Sequence, residues 1–174
     1  MPQAKKGPRT EPEMDAITLL KNDHKQVRAL LGELEETSEK AVGKREKLLG
    51  TIEQELMIHT RIEEEIFYPA FREAARKKDD TKLYFEALEE HHVVDMVLPE
   101  IKGTGAESDQ FGAKAKVLKD LVEHHAEEEE TEMFPRARKL MTRDDLLRLG
   151  GEMKRLKATM ARGLVDRLAG LVGA

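Results

Sequence analysis

The chain has 174 residues with a formal net charge of −5, 37% charged and 4% aromatic residues, and no cysteine. This length allows one domain with a substantial core, and the negative charge gives no electrostatic reason to expect binding to nucleic acid or to an anionic membrane. Without cysteine, disulfides, thiolate metal sites and cysteine nucleophiles are excluded, so any metal site must use nitrogen and oxygen ligands.

The composition and its patterning favour a helical protein outside the membrane. Leucine, alanine, glutamate, lysine and arginine are abundant, as is typical of helices. No run of about 18 apolar residues is present. The first 12 residues are polar and basic, without the apolar core of a signal peptide. We therefore predict a cytoplasmic protein with no membrane and no nucleic-acid partner.

The first 13 residues are rich in lysine, glycine and proline and are predicted to form a flexible tail. A first helix is predicted to begin near Asp15, since aspartate is a favoured N-cap residue. Its apolar seam has residues spaced alternately three and four, which is typical of a helix in a bundle. The seam residues are Ile17, Leu20, His24, Val27, Leu31 and Leu34.

A second helix follows a connection at residues 37–44 and is predicted to run to about Lys77. Its seam places a histidine and a glutamate one turn apart among apolar residues. The members are Leu49, Ile52, Leu56, His59, Glu63, Ile66 and Ala70. Pro69 lies inside this pattern and is expected to free a backbone carbonyl and bend the helix just beyond the glutamate.

Two further helices repeat this arrangement. The third follows a short polar turn at residues 77–81, and Pro99 is expected to kink or weaken its last turn. The fourth follows a glycine-containing loop at residues 102–110, and Pro135 is expected to bend it. The two seams are Tyr84, Ala87, His91, Val94, Leu98 and Ile101, then Phe111, Ala115, Leu118, Val122, His125 and Glu129.

A fifth helical segment is predicted after Thr142, which caps it. Its apolar stripe consists of Leu149, Met153, Leu156, Met160, Leu164 and Leu168. We expect this helix to pack over the bundle; the alternative is a self-association surface, which would give a homo-oligomer. The predicted fold class is all-α, an up-down-up-down four-helix bundle at residues 14–141 with an additional C-terminal helix at residues 142–174.

The candidate functional residues are the polar residues on the four seams. An unpaired buried carboxylate costs several kcal/mol or more, so it requires a partner such as a metal ion. The spacing selects His91 over His92 and His125 over His124. Antiparallel helices place residues equidistant from a loop at one level, so the seam histidines are expected to meet. The predicted metal ligands are His24, His59, Glu63, His91, His125 and Glu129.

An internal repeat supports this assignment. The segment HTRIEEEIFYP, from His59 to Pro69, returns 66 residues later as HAEEEETEMFP, from His125 to Pro135. Such a repeat is typical of a duplicated supersecondary unit. The neighbouring acids are expected to be surface residues first and supports of the ligands second; they are Glu64, Glu65, Glu128 and Glu130.

The ligand types indicate which metal is bound. Four imidazoles and two carboxylates exceed a tetrahedral zinc site and are too rich in nitrogen for calcium or magnesium. They suit iron, with manganese the close competitor and zinc less favoured. Two octahedral ions would keep roughly four positions for solvent and a small ligand. Open positions on a redox metal indicate chemistry or sensing with O2, peroxide or NO.

With these residues the chain resembles the hemerythrin-like HHE cation-binding family over about residues 15–140. The motifs that carry the resemblance are His24 in NDHKQV, His59 and Glu63 in HTRIE, His91 in EEHHVV, and His125 and Glu129 in HAEEE. The resemblance implies a four-helix bundle around a non-haem di-iron centre, bridged by the two carboxylates and an oxo or hydroxo group.

The chain departs from the oxygen-carrying members of that family. They have a further histidine where this chain has Asp95, and they end the fourth-helix motif with an aspartate one residue later, where this chain has Glu129. The resemblance therefore implies a more open site, suited to reactivity or sensing more than to reversible oxygen carriage. Asp95, His92 and His124 remain alternatives for an additional ligand.

Three hypotheses of function follow. The first is a di-iron protein that binds O2 or a related small oxidant as a sensor or stress-response protein. The second is a di-iron enzyme with catalase-like, peroxidase-like or oxidase activity, in which the metal supplies the chemistry. The third is iron storage or a metal-stabilised structural bundle.

Overall fold

The structure, a computed structural model, describes residues 14–172, without the side chains of residues 165 and 167–172. The tail predicted at residues 1–13 lies outside the described residues. The described chain is helical and contains no strand. The helices are α1 (Ala16–Glu35), α2 (Val42–Ile62), α3 (Tyr68–Ala74), α4 (Lys78–Lys102), α5 (Asp109–Glu128), α6 (Phe134–Leu140) and α7 (Arg143–Val172).

Two π-helical turns connect these helices into longer rods. The turn π1 (Glu63–Phe67) joins α2 to α3, and π2 (Glu129–Met133) joins α5 to α6, each without a break. These two rods form a four-helix bundle with α1 and α4, which we count as the first and third rods. Helix α7 packs outside the bundle against α1 and α2. This confirms the predicted fold class. Among the described helices, none is both long and apolar enough to cross a lipid bilayer.

The apolar core consists of two clusters, one toward each end of the bundle. One cluster contains Leu20, Phe67, Phe71, Phe134 and residues of α7. The other is built from all four rods, and its members include Val27, Leu56, Val94, Leu118 and Val122. Between the clusters lies a layer of buried histidine and glutamate side chains. The bundle therefore places its polar residues at one level, enclosed on both sides by apolar packing.

The ends of the helices follow from local hydrogen bonds, and some differ from the prediction. Asp15 caps α1 as predicted, since its carboxylate accepts a hydrogen bond from the Thr18 N–H at 2.9 Å. The second rod ends at Ala74, three residues before the predicted end, and α4 begins at Lys78, inside the predicted turn at 77–81. Asp80 explains the early start, because its carboxylate accepts the Lys77 N–H at 3.2 Å.

A π turn lies on the N-terminal side of each of the two prolines, Pro69 and Pro135. Proline lacks an N–H and its ring clashes with the carbonyl four residues earlier. In π1 the Tyr68 N–H instead donates to the Glu63 carbonyl, five residues back. In π2 the Phe134 N–H donates to the Glu129 carbonyl in the same way. A π turn holds one more residue than an α turn, so it shifts the helical register.

The register shift corrects the predicted seam of the second rod. Ile66 and Ala70 were expected on the seam but are only half-buried, whereas Phe67, Tyr68 and Phe71 are fully buried. The seam before the turn is as predicted. The extra residue in π1 is the physical reason that the pattern changes after Glu63.

The C-terminal helix packs closely on the bundle, as predicted. Leu146, Leu149 and Met153 join the apolar cluster beneath it. Gly150 lies directly over the start of α1: a Cβ added there would stand 2.2 Å from the Met14 carbonyl oxygen, too close for any side chain. The close approach of α7 to α1 therefore requires glycine at this position.

We expect Gly150→Ala to lower the free energy of unfolding by about 2 kcal/mol, because the clash is with backbone and the helices must separate to relieve it. The matched control is Gly151→Ala, whose added Cβ meets only the Arg155 side chain at 3.6 Å. Alanine there should raise stability by up to about 1 kcal/mol. Urea unfolding of the two variants checks this. Equal stability of both would mean that α7 does not pack as described.

Candidate metal centre

Six side chains predicted from the sequence meet in the polar layer between the two apolar clusters. The four histidines are on α1, α2, α4 and α5, and the two glutamates are the first residues of π1 and π2. All six are buried, with Glu63 0% and Glu129 2% exposed. We call them the six candidate ligands: His24, His59, Glu63, His91, His125 and Glu129.

Glu63 lies between histidines of two different rods. Its Oε2 atom is 3.3 Å from Nε2 of His59, one turn earlier on the same rod, and 3.3 Å from Nε2 of His91 on α4. Both histidines thus turn Nε2 toward one carboxylate oxygen. A cation bound to Glu63 would therefore lie near the imidazoles of both histidines.

Glu129 occupies the equivalent position in the second half of the chain. Its Oε2 atom is 3.2 Å from Nε2 of His24 and 3.8 Å from Nε2 of His125. The candidate ligands thus form two overlapping groups, and within each group the ligand atoms lie within 4.8 Å of one another. One group is His24, His59, Glu63 and Glu129, and the other is Glu63, His91 and His125. The geometry therefore offers two neighbouring cation positions.

The donor atoms of this layer fit a metal better than they fit one another. Several are buried and have no hydrogen-bond partner among the described residues: His24 Nε2, His59 Nε2, Glu63 Oε1 and Glu129 Oε2. A buried polar atom without a partner costs about 1–3 kcal/mol, so four together at one level indicate a missing common partner. A cation coordinated by imidazole and carboxylate satisfies them.

A second set of carboxylates surrounds the histidines and contacts the other ring nitrogen, Nδ1. We call this set the carboxylate ring: Asp23, Glu64, Glu90 and Glu130. The Nδ1–carboxylate distances are 3.6 Å for His59–Asp23, 2.9 Å for His91–Glu64, 2.7 Å for His125–Glu90 and 2.9 Å for His24–Glu130. A carboxylate at Nδ1 fixes the proton there and leaves Nε2 free for a metal.

The carboxylate ring follows a simple rule of position that the sequence analysis missed. Each member is next in sequence to a candidate ligand on its own rod and contacts a histidine on another rod; Asp23, for example, precedes His24 but faces His59. Glu64 and Glu130 were expected to be surface residues first. In the structure Glu64 is exposed, as expected, and Glu130 is half-buried, and each also contacts a histidine in the supporting role expected second. An acid next in sequence to four of the six candidate ligands was the signal in the sequence.

Burial and neighbouring charges shift the pKa values of the two buried glutamates in opposite directions. Burial and the nearby Glu129 carboxylate raise the pKa of Glu63 well above its usual range. Burial alone would also raise the pKa of Glu129, but His125 and His24 bring it below its usual range. Burial lowers the pKa of His59 to about 4, which keeps this imidazole neutral and able to bind a metal near pH 7.

Tyr68 is a buried member of the site that the sequence analysis did not identify. Its hydroxyl donates to Glu129 Oε1 at 2.9 Å and lies 3.3 Å from His91 Nε2. Burial and the two glutamates raise the pKa of this phenol well above its usual value, so it keeps its proton. Tyr68 follows Glu63 by five residues, a spacing that shares a face only in a π turn. The aromatic residues before Pro69 are part of the repeat, but α-helical spacing does not place Tyr68 on the same face as Glu63.

The alternative ligands considered from the sequence do not enter the site. Asp95 and His92 are exposed on the outer side of α4. His124 is also exposed and lies 3.7 Å from Glu90 and 3.7 Å from Glu128 on the surface. The structure thus favours the choice of His91 and His125 within each histidine pair.

A small apolar cavity adjoins the four histidines on the side of the Val27 and Leu56 cluster. It measures about 20 Å³, and carbon atoms form its exposed walls. The lining residues other than histidines are Val27, Leu56, Val94, Val122 and Ala126. A cavity of this size accepts about one water-sized molecule. Any ligand reaching the site from this side must therefore be very small.

Comparison with known proteins supports the fold. The family described as Hemerythrin HHE cation binding domain matches residues 15–137. A crystal structure of a hemerythrin HHE cation binding domain-containing protein from Mycobacterium kansasii superposes with a TM-score of 0.77 at 28% identity, covering 90% of this chain and 93% of that chain. A protein of Nostoc sp. named DNA nickase is 25% identical over 158 residues, 91% of this chain. The chain spans only 43% of that protein's length.

We expect Glu63→Ala and Glu129→Ala each to lower the bound metal to about half or less, because each carboxylate contacts histidines of two rods. Elemental mass spectrometry of purified variants measures this. Glu65→Ala is the matched control, since Glu65 is an exposed residue of π1 paired with Arg61. Equal loss in the control would show that the metal is not held by the buried pair.

Proposed function

The chain belongs to the hemerythrin HHE cation-binding domain family, and on that premise we propose that it is a non-haem di-iron protein that binds O2, peroxide or NO in the bundle core. We propose that it acts as a sensor or stress-response protein. The observation that carries the proposal is the pair of overlapping ligand groups beside a cavity of about 20 Å³.

The proposed ligands divide between two iron positions. His24 and His59 would hold one ion, His91 and His125 the other, and the two glutamates would lie between them. The two overlapping groups of ligand atoms support this division, and the mixture of imidazole and carboxylate favours iron over zinc, calcium or magnesium. Iron bound there supplies a redox-active centre with positions open to a small ligand.

The residues around the ligands would position the centre and exclude water. The carboxylate ring faces Nδ1 of each histidine, at 2.7–2.9 Å for three of them and 3.6 Å for His59, so that all four Nε2 atoms point inward. The valine and leucine side chains of the cavity offer no hydrogen bonds and limit the occupant to the size of a diatomic molecule or peroxide. Larger organic substrates do not fit.

Peroxide turnover is the second candidate function, and Tyr68 is the observation that favours it. Its hydroxyl proton lies inside the site, 2.9 Å from Glu129, and burial keeps it on the oxygen. Disproportionation of two peroxide molecules to two water molecules and O2 consumes no net proton, but protons must move between the peroxide oxygens, and a hydroxyl inside the site would relay them. This candidate is an enzyme, and activity measurements separate it from the first.

Nicking of DNA is not carried over to this chain from its relative. That name belongs to a protein of which the chain matches 43%, at 25% identity. The net charge of −5 gives the chain no general attraction to a phosphate backbone. A cytoplasmic location, the domain division at residue 141 and self-association through α7 remain predictions.

The first test of the proposal is metal content combined with a visible spectrum. We expect close to two irons per chain and an absorption band that forms when O2 or peroxide reaches the reduced protein, because such bands report a ligand on the metal. One zinc per chain, or no metal with full stability, would contradict the proposal.

Tyr68→Phe tests the second candidate. We expect unchanged iron content and peroxide turnover reduced by about tenfold or more, since the variant lacks only the proton donor. Tyr84→Phe is the matched control: Tyr84 packs edge-on against Tyr68, with 6.3 Å between ring centroids, and is only half-buried. Stoichiometric O2 binding without turnover by the unmodified protein would decide for the binding function.

A further inference from the structure

The C-terminal helix contacts the carboxylate ring directly. Lys157 of α7 donates to Asp23 Oδ1 at 2.6 Å. The other oxygen of Asp23, Oδ2, faces Nδ1 of His59 at 3.6 Å. We propose that Lys157 is a positioning residue for the metal centre: it holds the Asp23 carboxylate against His59, and α7 thereby controls how firmly the site retains its metal.

His59 is the histidine that most needs this support. The other three histidines have a ring carboxylate within 2.7–2.9 Å of Nδ1, at hydrogen-bond distance. The His59–Asp23 pair is longer at 3.6 Å, and both facing atoms lack a partner among the described residues. A small rotation of Asp23 therefore decides whether His59 is supported. The hydrogen bond from Lys157 to the same carboxylate limits that rotation.

Asp23 also differs from the other ring members in its source of positive charge. Glu130 is paired at 2.6 Å with Arg28 of α1, which is one of the helices of the bundle itself. Asp23 is 7% exposed, and Lys157 on α7 contacts it at 2.6 Å. The family match ends at residue 137, before α7 begins. Lys157 thus lies outside the region that the family model matches.

A groove beside Asp23 indicates where its carboxylate would turn without Lys157. A groove of about 730 Å³ runs between α7, α1 and α2, and Asp23, Lys157 and Ile58 line it. A carboxylate that loses its cation gains from contact with water, which this groove offers. Asp23 would then turn away from His59 toward the groove. The lysine keeps it directed inward.

The test, which rests on the proposed metal site, is the rate at which a ferrous chelator removes iron from the full-length, iron-loaded protein. Lys157→Met keeps the aliphatic stem and removes the charge. We expect it to release iron at least about threefold faster, a smaller effect than the 10–100-fold expected when a direct partner such as Asp23 is changed to asparagine. Lys157→Arg should restore slow release.

Two comparisons separate positioning from general destabilisation. Arg148→Met removes another cation of α7, from the exposed pair with Glu152, and should leave the release rate unchanged. The double variant Asp23→Asn, Lys157→Met should release iron no faster than Asp23→Asn alone, because Lys157 acts through Asp23. A merely structural role would give additive effects and lower the melting temperature of the metal-free protein.

The outcomes distinguish this inference from the function on which it rests. If the unmodified protein retains two irons but Lys157→Met releases them at the same rate, or the double variant is additive, the inference is wrong and the metal site stands. If the unmodified protein holds no iron, both fall. Faster release in Lys157→Met with an unchanged control and a non-additive double variant supports it.

Discussion

The structure depends on the burial of two carboxylates and four imidazoles at one level of an otherwise apolar bundle. Glu63 and Glu129 are almost completely excluded from water, where an uncompensated charge is strongly unfavourable. The core divides into two apolar clusters because this layer cannot be filled with hydrocarbon. Both the inner donor atoms and the carboxylate ring follow from the same requirement: each buried polar group must find a partner, either a cation or a neighbouring side chain.

The two π turns supply the geometry that this layer needs. Each begins at a candidate glutamate and ends just before an aromatic residue that precedes proline. The added residue lets the side chain five positions after the glutamate share its face, which brings Tyr68 to the carboxylates in one half and buries Phe134 in the other. Phe134 stacks on His24, with ring centroids 5.7 Å apart. Each proline lies two residues after the end of its π turn and, lacking an N–H, cannot donate a hydrogen bond back to it.

Much of this arrangement was predictable because periodicity alone places one histidine on each of four seams. The positions of His24, His59, His91 and His125 required no knowledge of contacts between helices, only spacing and loop positions. Tyr68 could not be predicted, because α-helical periodicity does not apply across a π turn. Asp23 and Glu90 were missed for a different reason: they act on neighbouring rods, and sequence spacing carries no information on which rod faces which. The packing of Gly150 over α1 likewise depends on a distance between distant segments.

The crossed contacts of the two glutamates have a consequence for how the protein acquires its metal. Glu63 belongs to the first half of the internal repeat but reaches His91 of the second, and Glu129 of the second half reaches His24 of the first. Neither half alone contains all six candidate ligands. A metal held by all six would therefore be captured tightly only after the two halves have docked, late in folding. A bound cation then acts as a cross-link between segments far apart in the chain, and it opposes their separation during unfolding.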